Sequence, residues 1–221
     1  MSANKSIIHI LVFSFICASG VLCDGTNDVI MEVAPLNGNH AKHNATGLVK
    51  VDLYYESRCS DSIAEYPEMS TVVKKLHNYI NLTTYPYGKA KMREENGKVI
   101  FTCQHGEKEC YGNKLHACAI DQLKDVRKYV DFNGCLMTRQ SNDAAVDECG
   151  KLQKVDSEAI KNCARGPKGD ELLIHYGKES EKIKYTDVPW VLINGELKAN
   201  NTSLLDTVCK AIGNPPKECQ K

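Results

Sequence analysis

Residues 56–63, ESRCSDSI, place one cysteine between an apolar run that predicts a strand and a run that predicts a helix. Cys59 therefore lies where the free N–H groups of a helix N-terminus and the helix dipole stabilise a thiolate. A thiolate can attack a disulfide bond and form a mixed disulfide. The position predicts a nucleophilic cysteine of the thiol–disulfide exchange type.

The neighbours of this cysteine both help and hinder that chemistry. Arg58 adds a positive charge, whereas the carboxylate of Asp61 disfavours a second negative charge nearby. We expect Ser60 or Ser62 to donate a hydrogen bond to the sulfur. Ser62 also stands three residues after the cysteine, where a second thiol would resolve a mixed disulfide, and a serine cannot do so.

A second candidate site element is the tripeptide Val188-Pro189-Trp190, at the start of an apolar run that predicts a strand. A proline directly before a sheet strand is a candidate for a cis peptide bond, which is uncommon and usually marks a purposeful tight turn. An ordinary trans proline at a strand start is the alternative. The residues alone do not separate the two.

The chain has eleven cysteines, and removal of Cys17 and Cys23 with an N-terminal leader would leave nine. An odd number in an oxidising compartment indicates one unpaired thiol, although cleavage before Cys23 would leave ten. Cys59 is far from its nearest neighbour in sequence, so we assign it as the free thiol. The eight predicted to form disulfides are Cys103, Cys110, Cys118, Cys135, Cys149, Cys163, Cys209 and Cys219.

Sequence alone does not choose among the pairings of these eight, although Cys209 with Cys219 would make a short closure. Residues 103–118 also contain His105 and His116, which raises the question of zinc. The cysteine spacings match no common zinc motif, and the compartment favours disulfides. We therefore expect no metal and no bound cofactor, and interpret both histidines as structural or surface groups.

The N-terminus predicts passage through the secretory pathway. A lysine-containing start, an apolar stretch and small residues predict a signal peptide over residues 1–23, with cleavage after Gly20 as the alternative. No second apolar run has spanning length, so we expect a soluble mature chain. Four glycosylation sequons agree with this route: Asn44, Asn81, Asn200 and Asn201.

Charge excludes one class of partner. Lys plus Arg and Asp plus Glu number 28 each, so no basic surplus indicates nucleic acid. The C-terminus, ECQK, is not a retention signal for the endoplasmic reticulum. These features favour a secreted or extracellular destination, or an endosomal–lysosomal one.

Hydrophobic patterning predicts an alternation of strands and helices. The predicted order is strand, helix, strand, strand, a cysteine-rich helical block, hairpin and helix, over residues 47–56, 60–79, 80–88, 96–103, 109–180, 187–198 and 203–213. Pro67 should bend the first helix. This order favours an α/β, thioredoxin-like fold with an inserted cysteine-rich helical subdomain.

The corresponding division of the chain has five parts. Residues 1–23 form the signal peptide and residues 24–46 a polar leader. Residues 47–105 form the first part of the thioredoxin-like domain and residues 183–221 its last hairpin, final helix and tail. The helical insertion occupies residues 106–182.

The segment CQHGEKECYGNKLHAC, residues 103–118, resembles the CQHG-x2-EC-x2-N-x4-C signature of the gamma-interferon-inducible lysosomal thiol reductases. ESRCSDS then corresponds to the active site of that family and DVPWVLING to its cis-proline loop. The resemblance covers about residues 48–212. It implies a thioredoxin-like fold, glycosylation and reduction of protein disulfides at acidic pH, with Cys59 and Pro189 at the site. The family motif is C-x-x-C, so Ser62 is a departure at the resolving position.

Three functions compete on this basis. In the first, Cys59 is a monothiol nucleophile acting on a disulfide-containing or unfolded protein, and a small thiol such as cysteine or glutathione completes turnover. In the second, the chain is a non-catalytic relative that binds a protein partner. The third, an unrelated disulfide-stabilised extracellular domain, is disfavoured by the long signature.

Overall fold

The computed structural model describes residues 47–220. The predicted signal peptide, the polar leader and the sequon at Asn44 lie outside the described residues, as does Lys221. None of the helices within residues 47–220 combines the length and the apolar character that a bilayer crossing requires.

The described residues form six strands, seven α-helices and a short 3-10 turn. The strands are β1 (Val49–Tyr55), β2 (Ile80–Pro86), β3 (Lys91–Glu95), β4 (Lys98–Thr102), β5 (Trp190–Ile193) and β6 (Glu196–Leu197). The helices are α1 (Ser60–Leu76), α2 (Glu107–Leu123), α3 (Val126–Met137), α4 (Asp143–Gln153), α5 (Ser157–Arg165), α6 (Pro167–Glu181) and α7 (Leu204–Ala211), and the 3-10 turn is Lys217–Cys219.

The central sheet has the order β2-β1-β5-β6. β1 pairs with β2 in parallel and with β5 antiparallel, so the first βαβ unit and the later hairpin share one sheet. Leu53 and Tyr55 of β1 face a core that includes Met69 and Val72 of α1. On the other face Tyr54 stacks on Tyr85 with ring centroids 4.3 Å apart, as expected for side chains that alternate along a strand.

Helices α2 to α6 lie between β4 and β5 along the chain. They enclose a second core. Its members include Leu115, Phe132, Leu136, Val146 and Ile160, all fully buried. This arrangement confirms the predicted α/β, thioredoxin-like fold with a cysteine-rich helical insertion. The short helices of the insertion begin at polar caps, as at Asp125, where the carboxylate accepts the backbone N–H of Arg127.

Four disulfides stabilise the described residues. They join Cys103 to Cys110, Cys118 to Cys163, Cys135 to Cys149, and Cys209 to Cys219. The last is the short closure that the sequence analysis named. Among residues 47–220, Cys59 is the free cysteine. The sequence assigned it the same state.

Three details differ from the sequence prediction. The strand predicted over residues 96–103 pairs with β3, which was not predicted, in a separate two-stranded hairpin. Within the predicted helical block, the pattern of residues 117–132 is typical of one helix, but the segment forms parts of two, because Lys124 has a φ of 55° and ends α2. Helix α1 ends at Leu76, short of the predicted residue 79, and continues through Pro67. The expected bend there stays a prediction.

A buried polar network joins β1 to the helical insertion. His116 is fully buried, with Nδ1 2.9 Å from the Tyr55 hydroxyl and Nε2 2.9 Å from the Ser141 hydroxyl. The Asn133 side-chain amide donates to the Tyr55 hydroxyl and to the His116 carbonyl. Burial lowers the pKa of His116 to about 3, so the ring is neutral in the folded protein at physiological pH. This confirms the interpretation of His116 as a structural group.

We predict that removing the Cys118–Cys163 bridge costs more stability than removing Cys209–Cys219. The first spans 45 residues and the second 10, and a longer loop constrains the unfolded chain more. Cys118→Ala/Cys163→Ala should lose about 4 kcal/mol of unfolding free energy and Cys209→Ala/Cys219→Ala about 3 kcal/mol. Equilibrium urea unfolding measures both, and the reverse order would contradict the prediction.

We also predict that His116 makes the protein less stable in acid. Its folded pKa lies below its unfolded value of about 6.5, so the unfolded state gains the proton first. The stability from neutral His116 is complete above about pH 6.5 and falls by about 1.4 kcal/mol per pH unit below it. His116→Gln should flatten this dependence in urea unfolding between pH 7 and 5. His175→Gln, at an exposed position, should leave it unchanged, and equal slopes for His116→Gln and wild type would contradict the assignment.

Candidate functional site

Cys59 is the N-cap residue of α1, immediately after the loop that leaves β1. Its backbone is extended, and its carbonyl accepts the N–H of Ile63 at 2.9 Å. The side chain is mostly covered, with 9% of the residue exposed. Its side chain accepts no capping hydrogen bond from the first turn of α1, although the positive end of the helix dipole lies at this position.

The sulfur lies against the loop that precedes β5. Val188–Pro189 is a cis peptide bond, as the resemblance implied. The Cys59 thiol contacts the Val188 carbonyl oxygen at 3.7 Å. The sheet explains this proximity, because Trp190 of β5 pairs with Tyr54 near the end of β1.

Neither serine makes the expected contact with the sulfur. The Ser60 hydroxyl is directed to Asp61 Oδ1 at 3.5 Å. Ser62 is 1% exposed, and its hydroxyl oxygen accepts the backbone N–H of Glu56 at 3.3 Å. Ser62 thus satisfies a backbone donor of the loop before the cysteine and supplies no second thiol.

Arg58 also has a different role from the one expected. Its guanidinium donates to the Gln140 carbonyl at 2.8 Å and to Gln140 Oε1 at 3.0 Å. Gln140 lies between α3 and α4, so these bonds hold the cysteine loop to the helical insertion. The Arg58 guanidinium is thus hydrogen-bonded to Gln140 and not to the Cys59 sulfur.

Ser57, the residue before Arg58, is also held by the helical insertion. The Ser57 N–H donates to Asn113 Oδ1 at 2.9 Å, and its hydroxyl donates to the Glu109 carbonyl at 3.3 Å. Its own carbonyl accepts the Ser141 hydroxyl at 3.4 Å. A Cβ on Gly112 would lie 2.5 Å from the Ser57 hydroxyl, so this approach of α2 requires a glycine.

A groove of about 400 Å³ runs beside the first turn of α1 and the cis-proline loop. Its wall carries the carboxylates of Asp61, Glu65 and Asp187 and the ammonium of Lys198, which lies 3.5 Å from Glu65. Asn200 also lines it. Cys59 does not line this groove, although Asp61, two residues after it, and Val188, which the Cys59 thiol contacts, both do.

Beneath the cysteine loop, three side chains meet that sequence reasoning did not bring together: Glu56, His105 and Glu109. Burial raises the pKa of Glu56, although the hydrogen bond from the Lys89 N–H opposes this. Glu109 and Asn113 are polar positions of the 103–118 signature, and both reach the segment just before Cys59. Their place in the signature was the only sequence signal for them.

The remaining predicted site residues fall into two groups. Asn81, Asn200 and Asn201 are exposed at the surface, as a glycan acceptor must be. The cysteines of residues 103–118 are in disulfides and offer no thiolate to a metal. A zinc site of the Cys-His kind in this segment is therefore absent among the described residues.

Comparison with known proteins finds relatives over most of the chain. The family model "Gamma interferon inducible lysosomal thiol reductase (GILT)" matches residues 50–153, which include Cys59 and the signature. A GILT-like protein of Anopheles gambiae is 35% identical over 192 residues, covering 77% of this chain and 80% of that protein. The mouse gamma-interferon-inducible lysosomal thiol reductase is 30% identical over 169 residues, covering 73% and 67%.

Solved structures support the fold independently. The disulfide oxidoreductase DsbG of Mycobacterium tuberculosis superposes with a TM-score of 0.55 at 13% identity, covering 77% of this chain and 81% of that one. A thioredoxin-like oxidoreductase from Silicibacter pomeroyi gives 0.50 at 16%, covering 74% and 86%. Family match, curated relatives and signature together establish that the chain belongs to the gamma-interferon-inducible lysosomal thiol reductase family.

Proposed function

We propose that the protein is a monothiol disulfide reductase whose nucleophile is Cys59. The observation that carries this is a free thiol at the N-cap of α1, in contact with the cis-proline loop, while the other eight described cysteines are paired. A thiol kept reduced at a helix N-terminus in an otherwise disulfide-bonded domain is suited to attack rather than to structure.

The first chemical step is attack of the Cys59 thiolate on one sulfur of a substrate disulfide. A new S–S bond forms between Cys59 and that sulfur, and the old S–S bond breaks. The second substrate sulfur leaves as a thiolate and takes a proton from water. No net oxidation or reduction has occurred at this stage, because one disulfide has replaced another.

Completion requires electrons from outside, since Ser62 cannot attack the mixed disulfide. A small thiol such as cysteine or glutathione attacks it and restores the Cys59 thiolate. A second molecule of that thiol then frees the substrate sulfur. The balance is one substrate disulfide reduced to two thiols and two small thiols oxidised to one disulfide, with no bound cofactor required.

The substrate class follows from the groove. Its open, polar wall beside the cysteine suits an extended segment of a disulfide-containing or unfolded protein. Family relatives named as lysosomal thiol reductases support an endosomal–lysosomal or secreted location for this chain. Glycosylation at Asn81, Asn200 or Asn201 fits the same route, with Asn200 placed at the groove.

A second function, binding a protein partner without turnover, is favoured by Ser62. The residue is buried and its hydroxyl is engaged with the Glu56 N–H, so the resolving position has been converted into a structural one. Reductase and binding protein would share the groove. They differ in whether Cys59 forms a covalent adduct.

We predict that the protein reduces insulin at acidic pH only when free cysteine is supplied. Without an external thiol, the reaction should stop at a mixed disulfide on Cys59, visible as a mass increase under non-reducing conditions. Cys59→Ser should lose both the adduct and the activity. Activity equal in Cys59→Ser and wild type would reject the proposal. No adduct and no activity in wild type would favour the binding function.

Ser62→Cys should convert the enzyme into a dithiol reductase. The new thiol stands three residues from Cys59 in the first turn of α1, where side chains are neighbours. An intramolecular attack has a high effective concentration, so we expect dependence on added cysteine to fall by about tenfold or more. Loss of the acceptor for the Glu56 N–H should cost about 1 kcal/mol of stability.

The control is Ser60→Cys, which adds a thiol at an exposed neighbour without the one-turn spacing. It should leave the dependence on external thiol as in wild type. If Ser62→Cys folds, forms a 59–62 disulfide and still reduces nothing, the scaffold lacks catalytic competence and the binding function is correct.

A further inference from the structure

Glu56, His105 and Glu109 bring one nitrogen and two carboxylate oxygens within 4.8 Å of one another. The three come from separate places in the fold. Glu56 follows the end of β1, His105 precedes α2, and Glu109 is in the first turn of α2. Both glutamates are fully buried, which is rare for this residue type without a charge partner.

In each carboxylate, a backbone N–H fixes one of the two oxygens. Glu56 Oε1 accepts the N–H of Lys89 at 2.7 Å, and Glu109 Oε1 accepts the N–H of His105 at 3.0 Å. The two Oε2 atoms are left facing His105 Nδ1, at 3.5 Å from Glu56 and 2.5 Å from Glu109. Glu56 Oε2 is buried and has no hydrogen-bond partner within residues 47–220.

The chain is shaped to keep Glu56 in this position. Gly88 has a φ of +57°, and a Cβ built on it would lie 2.1 Å from Glu56 Cγ. The backbone at residues 88–89 can therefore close directly over the carboxylate and donate to it. The Cys103–Cys110 bridge confines His105 and Glu109 to one short loop and helix turn.

The charges of this cluster are only partly offset by other side chains, since His105 and Lys89 lower the pKa of Glu56 while burial raises it. In the part of the chain that the structure describes, no lysine or arginine forms an ion pair with Glu56 or Glu109, and the ammonium of Lys89 lies 3.6 Å from Asp187. A protonated His105 would neutralise one of the two negative charges. A divalent cation would neutralise both.

We propose that Glu56, His105 and Glu109 form a binding site for a divalent cation of the zinc class. The ligands are His105 Nδ1 and one oxygen from each carboxylate, a donor set that zinc accepts. Bond lengths near 2.0–2.2 Å in a tetrahedral site separate ligands by about 3.3 Å. The distance of 3.5 Å between Glu56 and His105 already fits, and the Glu109 contact must open by less than about 1 Å.

The fourth coordination position is on the solvent side. The His105 side chain is 38% exposed, whereas the two glutamates are closed off by protein. A water completes the set there, and His105 has the freedom to adjust to the ion. The ion would join the loop before Cys59 to the start of α2, and its ligand Glu56 stands three residues before Cys59 in sequence.

The test is zinc titration of the untagged protein, made metal-free beforehand, against a competing fluorescent chelator. The whole experiment is done on the Cys59→Ser protein, so that the free thiol cannot supply the binding. We expect one zinc per chain and, with cobalt, a visible absorption band typical of four-coordinate nitrogen and oxygen ligands. His105→Gln should weaken zinc binding about a hundredfold or more, since it removes a direct ligand.

Two matched controls come from the same region and the same residue types. Glu107→Gln changes an exposed glutamate in the first turn of the same helix, and His175→Gln changes an exposed histidine elsewhere. Both should bind zinc as the parent does. Because His105 is partly exposed, its variant should fold, and circular dichroism with unchanged urea unfolding of the metal-free protein checks this.

Three results would overturn the proposal. These are no zinc binding at micromolar concentration, binding unchanged by His105→Gln, or binding lost equally in Glu107→Gln. No zinc binding is the result expected if a protonated His105, and no metal ion, neutralises the two carboxylates. The readout is metal binding and not reductase activity, so its outcome is independent of the monothiol mechanism.

Discussion

The position of Cys59 depends on how the backbone at Ser57 is held. A loop that leaves a buried strand carries polar groups that lose water and must find partners. Here the partners come from the helical insertion: Asn113 and the Glu109 carbonyl from α2, and Ser141 from the loop before α4. The insertion therefore holds the loop that carries Cys59 directly, although it contributes nothing to the central sheet.

This dependence gives the 103–118 signature a physical meaning. Its two cysteines nearest the start form one bridge, its glutamate and histidine face Glu56, and its asparagine accepts the Ser57 N–H. His116, in the same segment, reaches Tyr55 at the end of β1. The cysteines and histidines of this segment raise the question of a metal in the sequence, whereas in the structure its first two cysteines are paired and its asparagine holds the backbone before Cys59.

Much of the fold could be predicted because its strongest elements have clear periodicity. β1, α1 and the β5–β6 hairpin at Asn194-Gly195 were all visible in the sequence. β3 was missed because its sequence, KMREE, is charged and mostly exposed, with little of the pattern of a buried strand. The helix break at Lys124 was missed because a lysine at positive φ leaves no glycine or proline as a signal.

The site divides in the same way. Cys59 could be assigned because local sequence places it at a helix start, whereas Pro189 was assigned to the site through the family resemblance. The long-range contacts of Glu56, Ser57 and Arg58 could not, because their partners lie from 33 residues away, for Glu56 with Lys89, to 84 residues away, for Ser57 with Ser141, and meet them only through tertiary packing. Ser62 was correctly expected not to act as a thiol, but its bond to the Glu56 N–H has no signature in sequence.

The burial of the disulfides affects how easily small thiols can reduce them. In each of the four bridges at least one cysteine is buried, with Cys118 and Cys149 completely enclosed. A small thiol that attacks the outer sulfur must expel the inner one as a thiolate into apolar surroundings, and a poorly stabilised leaving group makes such exchange slow. The four disulfides should therefore resist reduction at small-thiol concentrations that keep the Cys59 thiol reduced.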